Sequence, residues 1–261
     1  PAILAGNTIV LKHASICIES GDKIQEIFGK AGFPIGVFTH LEIGHDEVAE
    51  LLEHDFVQGV SFTGSEDAGG KIASIAGKNI KKSLLELGGS DAFIVLDDAD
   101  LKNAAKVGAN ARLQNCGQTC IAAKRFIIHK KIQKDFMKIF LAEYQKYIPA
   151  DPMKKETIIA GMARPDLAEE LLKQYKKAVK NGAKIILPLE KIADGILKPG
   201  LIEVQEGNPI LLEELFGPLG MIMIAKNDEN ALKMANDIPF GLANSVWTSN
   251  KKRLEYFTKN L

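Results

Sequence analysis

At 261 residues the chain can form one large domain or two modest ones, and 46% hydrophobic with 25% charged residues is an ordinary globular mixture that excludes disorder. Lys plus Arg and Asp plus Glu both number 33, so the formal charge is zero, which argues against a nucleic-acid-binding face. No apolar run reaches the ~20 residues of a membrane span, and three cysteines are too few and too odd in number for a disulfide framework, which places the chain in a reducing cytoplasm. The chain opens at Pro1, with no Met and no basic leader, and closes at Leu261 inside a helical pattern, so both ends read as cut.

The first third alternates strands and helices. Thr8 to Leu11 is a β-rich run, and Ile24, Ile27 and Phe28 then recur at helical spacing until Gly32 and Pro34 stop them. Gly36 to Thr39 reads as a strand, Val48, Leu51 and Leu52 as a helical stripe, and Val57 to Phe62 as a strand. Ala68, Ile72, Ile75 and Ala76 mark a third helix. Strands separated by helices of this size imply βαβ units and a mostly parallel sheet, whose usual ligand is a nucleotide at the carboxyl ends of the strands.

A second rhythm follows the Gly88-Gly89 pair, which is the expected boundary between domains 1–87 and 88–261. Ala92 to Leu96 is a strand, Asp98 to Gln114 a helix, Arg125 to His129 a strand, and Ile132 to Tyr147 an amphipathic helix. Leu167 to Ala178 is a helix, followed by the Asn181-Gly182 turn and the strand Lys184 to Leu187. Glu229 to Asn236 is a late helix and Ala243 to Thr248 a late strand.

Five short segments carry chemistry. In Gln114 to Cys120 a loop between helix and strand presents Cys120, and Gly117 permits a tight backbone path. Such a cysteine is either a nucleophile or a small buried hydrophobe. In Leu84 to Gly89, Glu86 sits in an apolar strand, where burial would raise its pKa toward that of a useful base; it is otherwise a plain strand end. The two glycines admit a close approach to the backbone. Thr63-Gly64-Ser65 joins a strand to a helix, which makes either an anion site or a simple N-cap. Lys12 ends a strand, placed for a ribose hydroxyl or phosphate, or for solvent. Glu213 to Pro218 reads alone as a turn.

In order and content these segments closely resemble the aldehyde dehydrogenase family. The matching stretches are Ala5 to Lys12, Phe62 to Ser65, Leu85 to Gly89, Gly117 to Cys120 and Glu214 to Pro218. Within the family, Leu11 to Ser15, Gly89 to Asp91 and Cys120 to Arg125 are similar to bacterial succinate-semialdehyde dehydrogenases. The resemblance implies an α/β fold with a parallel-sheet, Rossmann-type cofactor domain, of which 1–87 is the C-terminal part. It implies that 88–261 is an α/β catalytic domain, incomplete at its C-terminus. It implies oxidation of an aldehyde to the acid through a thiohemiacetal and thioester on Cys120, with Glu86 activating water. It places Lys12, Ser15, Thr63, Gly64, Ser65, Leu87, Gly88, Glu214 and Phe216 at the cofactor, and Arg112, Gln114, Thr119 and Ile121 near the substrate. No metal is implied, and the expected assembly is a homo-oligomer, dimer or tetramer.

Ser15 stands where NAD-selective relatives place a carboxylate, so NADP is expected to be preferred, with NAD accepted. Gln114 stands where some succinate-semialdehyde enzymes carry an Arg for the substrate's distal carboxylate. Cys116 is either a partner for a reversible disulfide with Cys120 or a packed spectator. A rival expectation is a truncated, non-catalytic chain that retains nucleotide or subunit binding. Acyl transfer to coenzyme A or phosphate is a third, against which Glu86 speaks.

Overall fold

The computed structural model describes residues 1–261, which divide into two compact units, Pro1–Leu87 and Gly88–Leu261. The first holds β1 (Ile9–Leu11), α1 (Ile18–Lys30), β2 (Phe38–His40), α2 (Asp46–Glu53), β3 (Gly59–Thr63), α3 (Glu66–Lys78) and β4 (Lys82–Glu86). Helices alternate with strands as the periodicity predicts. The ladders, however, are two separate parallel pairs, β1 with β2 and β3 with β4, rather than one sheet. The apolar surface is correspondingly uncovered. Only Leu52 and Ala76 are buried hydrophobics in this unit, while nine large ones, from Leu4 to Leu84, are exposed.

Helix α3 shows how local sequence shapes this unit. Ser65 caps it, accepting from the Ala68 amide at 3.3 Å, and Lys78 sits in its last turn, where the helix dipole favours a cation. A Cβ on Gly69 would overlap the Leu87 side chain, so the glycine lets α3 lie close to the end of β4.

The second unit is a three-layer sandwich. Its strands are β5 (Asp91–Val95), β6 (Ala123–His129), β7 (Lys184–Leu187), β8 (Glu190–Ala193), β9 (Ile196–Lys198), β10 (Gly200–Glu203), β11 (Leu219–Ala225) and β12 (Ser245–Trp247). Its helices are α4 (Leu101–Leu113), α5 (Gln133–Tyr144), α6 (Pro165–Lys180), α7 (Asp228–Asn236) and α8 (Lys251–Asn260). Six strands form one sheet in the order β12-β5-β6-β11-β10-β7, parallel except for the edge strand β7; β8 and β9 make a separate antiparallel hairpin.

β5 and β6 are buried throughout, as expected for parallel strands covered on both faces. Alternate residues divide between two cores. Phe93, Val95, Phe126 and Ile128 face Ala104, Ala105, Phe136, Phe140 and Tyr144 of α4 and α5. Ala92, Ile94, Ile127, Met221 and Met223 face Leu171, Met234 and Phe257 of α6, α7 and α8. Gly108 lets α4 approach the sheet, since a Cβ there would lie 3.0 Å from the Phe126 ring.

Several element bounds differ from the periodicity. α4 starts at Leu101, not Asp98, because the Asp100 carboxylate accepts from the Asn103 amide and caps it. α5 stops at Tyr144 and is preceded by a 3-10 turn over Lys130–Ile132. β10 and β11 carry no strand forecast, yet β11 lies in the middle of the sheet. No helix is long and apolar enough to cross a membrane.

Arg253 of α8 ties three elements together. Its guanidinium donates to both oxygens of Asp228, at 2.7 and 2.5 Å, and its Nη1 to Asp97 and Asp98 at 2.8 and 2.7 Å. The Lys131 ammonium, and Arg253 after it, outweigh burial and hold Asp97 at about 2. Burial pushes Asp98 up, but the Thr248 and Ser249 hydroxyls and Arg253 bring it down on balance. Carboxylates held low stabilise the fold above their ordinary pKa, and that contribution is lost as pH falls through the folded value. Arg253→Met is therefore expected to cost about 1–3 kcal/mol at neutral pH, as a bidentate networked pair rather than an isolated surface one. The difference should shrink from about pH 4 downward and nearly vanish near pH 2, as read by denaturant unfolding at each pH. A pH-independent difference would contradict this account.

Candidate active site

The segment ahead of β6 has an unusual backbone. After α4 the chain makes a short turn over Gln114–Gly117, in which Asn115, Cys116 and Gly117 have φ of 53°, 56° and 73°. Two consecutive non-glycine residues in the left-handed region cost on the order of 1–2 kcal/mol each, so the surroundings must hold them there. They do. The Asn115 amide donates to the Gln118 carbonyl and the Gln118 amide to the Asn115 carbonyl, both at 3.1 Å. Gln118 also accepts from the Ala163 amide at 2.8 Å. A Cβ on Gly117 would overlap the Gly217 carbonyl, so this glycine lets the loop and the 214–217 segment touch backbone to backbone.

Two buried cations brace the same place. Arg112, from α4, has no exposed surface, and its Nη2 donates to the carbonyls of Gly117 at 3.3 Å, Leu215 at 2.8 Å and Gly217. Burial lowers it to about 10, which still leaves it charged at neutral pH. Lys124, the second residue of β6, also has no exposed surface. Its ammonium donates to the carbonyls of Thr119 at 2.9 Å and Cys120 at 2.5 Å, and lies 3.2 Å from the Glu214 carboxylate. The other end of that carboxylate network is Gly89, whose amide donates to Glu214 Oε1 at 3.1 Å. A Cβ on Gly88 would fall 2.5 Å from Glu214 Oε2, and one on Gly89 would fall 3.0 Å from the Cys120 carbonyl oxygen. The glycine pair thus forms a cradle against both.

The second unit therefore brings together Gly88, Gly89, Thr119, Cys120, Lys124 and Glu214. They sit at the amino ends of β5, β6 and β11, three neighbouring parallel strands, opposite to the carboxyl ends that nucleotides usually favour. Cys120 is half-buried and free. Ile121 and Gln114 are exposed, Thr119 is half-buried, and Phe216 is exposed beside buried Leu215.

The first unit places Lys12 just after β1, half-buried, and Ser15 at the start of a 3-10 turn, exposed. Thr63 pairs with Glu86 in the parallel β3–β4 register, and the Gly64 amide donates to the Glu86 carbonyl at 3.0 Å. Thr63, Gly64 and Ser65 are exposed, and Leu87 is half-buried.

Two expectations are corrected. Glu86 is exposed rather than buried, because β4 is one of only two strands in its ladder and buries none of its positions fully. Arg112 is not a ligand for a substrate carboxylate: its reachable nitrogen is spent on backbone carbonyls in the interior. Sequence reasoning missed Lys124, Asn115 and Gln118 as supports. The signal available was the charged pair Lys124-Arg125 directly before the apolar run Phe126 to Ile128 of the same strand. Arg125 is likewise internal, donating to Ser90, Met234 and Ala235 carbonyls at 2.6, 2.7 and 2.9 Å.

Cys116 is buried, with its thiol 3.5 Å from the Ala160 carbonyl. Burial pushes it up to about 11, against the pull of Arg112. At about pH 8 such a thiol is about one part in a thousand thiolate. Iodoacetamide is therefore expected to label Cys120 and Cys17 at least about 30-fold faster than Cys116, by peptide mass spectrometry. Equal labelling of Cys116 and Cys120 would overturn its assignment as a packed spectator.

Comparison with known proteins adds the following. The aldehyde dehydrogenase family profile matches residues 1–261. A Synechocystis sp. protein named probable succinate-semialdehyde dehydrogenase (NADP+) is 40% identical, covering 100% of this chain and 58% of its own length. An Escherichia coli succinate semialdehyde dehydrogenase (NAD(P)+) is also 40% identical, over 100% of this chain and 57% of its own. The crystal structure of a succinic semialdehyde dehydrogenase from Streptococcus pyogenes with NADP+ as the cofactor superposes with a TM-score of 0.95 at 38% identity. That match covers 98% of this chain and 57% of the other. The chain thus spans a little over half the length of the relatives it matches.

Proposed function

Since the chain belongs to the aldehyde dehydrogenase family, we propose that it oxidises an aldehyde to the carboxylic acid with NADP+, or less favourably NAD+, through a covalent bond to Cys120. The observation that carries this reading is the braced loop itself. A half-buried free cysteine follows a strained turn at Asn115 and Cys116, in a loop held by two buried cations and a glycine cradle, which is how a positioned nucleophile is built.

The residues fit a dinucleotide. Glu214 keeps one carboxylate oxygen outside its Gly89 and Lys124 contacts, in the cradle that a Gly88 Cβ would fill, and is suited to ribose hydroxyls. Lys12 and Ser15 offer an ammonium and a hydroxyl with no carboxylate in that segment, the donor set for a 2′-phosphate. A bound nicotinamide supplies the hydride acceptor. Cys120 Sγ bonds to the aldehyde carbon, and the Cys120 backbone N–H donates to the alkoxide that forms. Two-electron oxidation of this adduct leaves an acyl thioester on Sγ. Glu86 takes a proton from water as its oxygen adds to the thioester carbonyl, and the acid departs with the thiolate restored.

Succinate semialdehyde is the proposed substrate, supported by the names of the relatives. Arg112 and Lys124 face inward and are not offered to its distal carboxylate, whereas Gln114 is exposed. The proposed setting is the cytoplasm, in keeping with three free cysteines, and the proposed assembly a homodimer or homotetramer.

One rival is a chain that binds nucleotide or a partner subunit without turnover. Mixing the chain with NADP+ and succinate semialdehyde, against Cys120→Ala, separates the two. Reduction at least about 100-fold above the variant is expected. No difference, with NADP+ raising the melting temperature of both, establishes the rival.

A further inference from the structure

We propose that Lys124 is a positioning residue coupling the Glu214 carboxylate to the Cys120 loop, so that what engages Glu214 is transmitted to the nucleophile. This deepens the dehydrogenase reading and rests on it only for the identity of what Glu214 engages.

The geometry is specific. One ammonium, with no exposed surface, holds the carbonyls of the nucleophile and of the residue before it, and its third contact is Glu214. The carboxylate is on the other loop, and its second partner is the Gly89 amide. Arg112 also ties the two loops, Gly117 to Leu215 and Gly217, but through backbone atoms that no ligand can alter. Only the Lys124 link ends on a side chain that is partly exposed, Glu214 at 21%.

Charge makes the link responsive. Burial pulls the Lys124 ammonium down from its ordinary value, and the neighbouring Arg112 guanidinium adds to this. Glu214 first, and Asp91 after it, counter that pull. Asp91 is itself buried and held by the Ala243 amide at 2.9 Å. Arg125 beside it is committed to three carbonyls, and Glu214 is the one charged member of the group around Lys124 that is not buried. A donor that draws the Glu214 carboxylate toward itself weakens its hold on the ammonium, and the Thr119 and Cys120 carbonyls receive a differently balanced donor.

The test needs neither cofactor nor turnover. Iodoacetamide labelling of Cys120 is timed by peptide mass spectrometry in the intact chain, with Cys17 as internal control. Lys124→Met removes the donor from both carbonyls, local opening of the loop becomes easier, and Cys120 should label at least threefold faster with Cys17 unchanged. Glu214→Gln should accelerate Cys120 in the same direction. The double variant should be no faster than the faster single, because both changes break one link. Additive effects, or a Lys124→Met rate equal to or below that of the parent, overturn the proposal. Should Lys124→Met fail to fold, Glu214→Gln alone decides: an unchanged Cys120 rate overturns it. If the labelling cycle behaves as expected while no variant or parent reduces NADP+, the dehydrogenase reading fails and the coupling stands.

Discussion

Arg112→Met is expected to lower the unfolding free energy by about 2–4 kcal/mol. The estimate is a balance. The Gly117 and Leu215 carbonyls lose their guanidinium donor, at roughly 1–3 kcal/mol for each buried group left unpaired. The Gly217 carbonyl keeps the Leu219 amide at 2.8 Å and loses less. Against this, Arg112 Nε and Nη1 are buried without a partner, so the parent already carries part of a desolvation cost that methionine relieves. The carbonyl terms win because two loops, not one, are stranded, and because the strain at Asn115 and Cys116 has less to hold it. Arg112→Lys should recover part of the loss, since all three carbonyls are reached from the one nitrogen Nη2 and an ammonium carries three donors, though on a shorter side chain. Urea unfolding followed by circular dichroism reads both. A value within about 0.5 kcal/mol of the parent would show that the guanidinium is a passenger.

The loop that presents Cys120 was readable from the chain because Gly117-Gln118-Thr119-Cys120 puts a backbone-permissive residue and a thiol between a helix and a strand. What holds that loop was not. Arg112 and Lys124 are charged residues in a chain whose charges mostly face water, and periodicity says which face a residue occupies, not how a long side chain bends within it. Their burial follows from partners more than a hundred residues away in one case and ninety in the other, Leu215 and Glu214, and long-range pairing leaves no local pattern. The sheet shows the same division. β5 and β6 announce themselves by β-branched and aromatic residues. β11, Leu219–Ala225, is central and wholly apolar but built from Leu, Gly, Met, Ile and Ala without polar alternation, so nothing local marks it as a strand. Glu86 failed for a related reason. An apolar neighbourhood in sequence implied burial, yet β4 pairs with one strand only and leaves its terminal carboxylate exposed.

That exposure bears on the largest expected effect on activity. Glu86→Gln should reduce steady-state turnover by about 10²–10⁴-fold, the usual contribution of a positioned general base, while leaving the first half of the reaction intact. The two halves ask for different groups. Bond formation at the aldehyde and the first oxidation need the Cys120 thiolate and its backbone donor, neither of which glutamine at position 86 alters. Thioester hydrolysis needs a proton taken from water, which an amide cannot do. The expected record is therefore a burst of reduced cofactor, no larger than one per active subunit, followed by a slow phase, with an acyl group on the Cys120 peptide by mass spectrometry. Cys120→Ala should abolish burst and steady state alike. An exposed carboxylate has direct access to water. Glu86→Asp, one methylene shorter, should keep part of the steady state and lose the rest through reach. Loss of the burst together with the steady state in Glu86→Gln would assign Glu86 to thiol activation instead of to water.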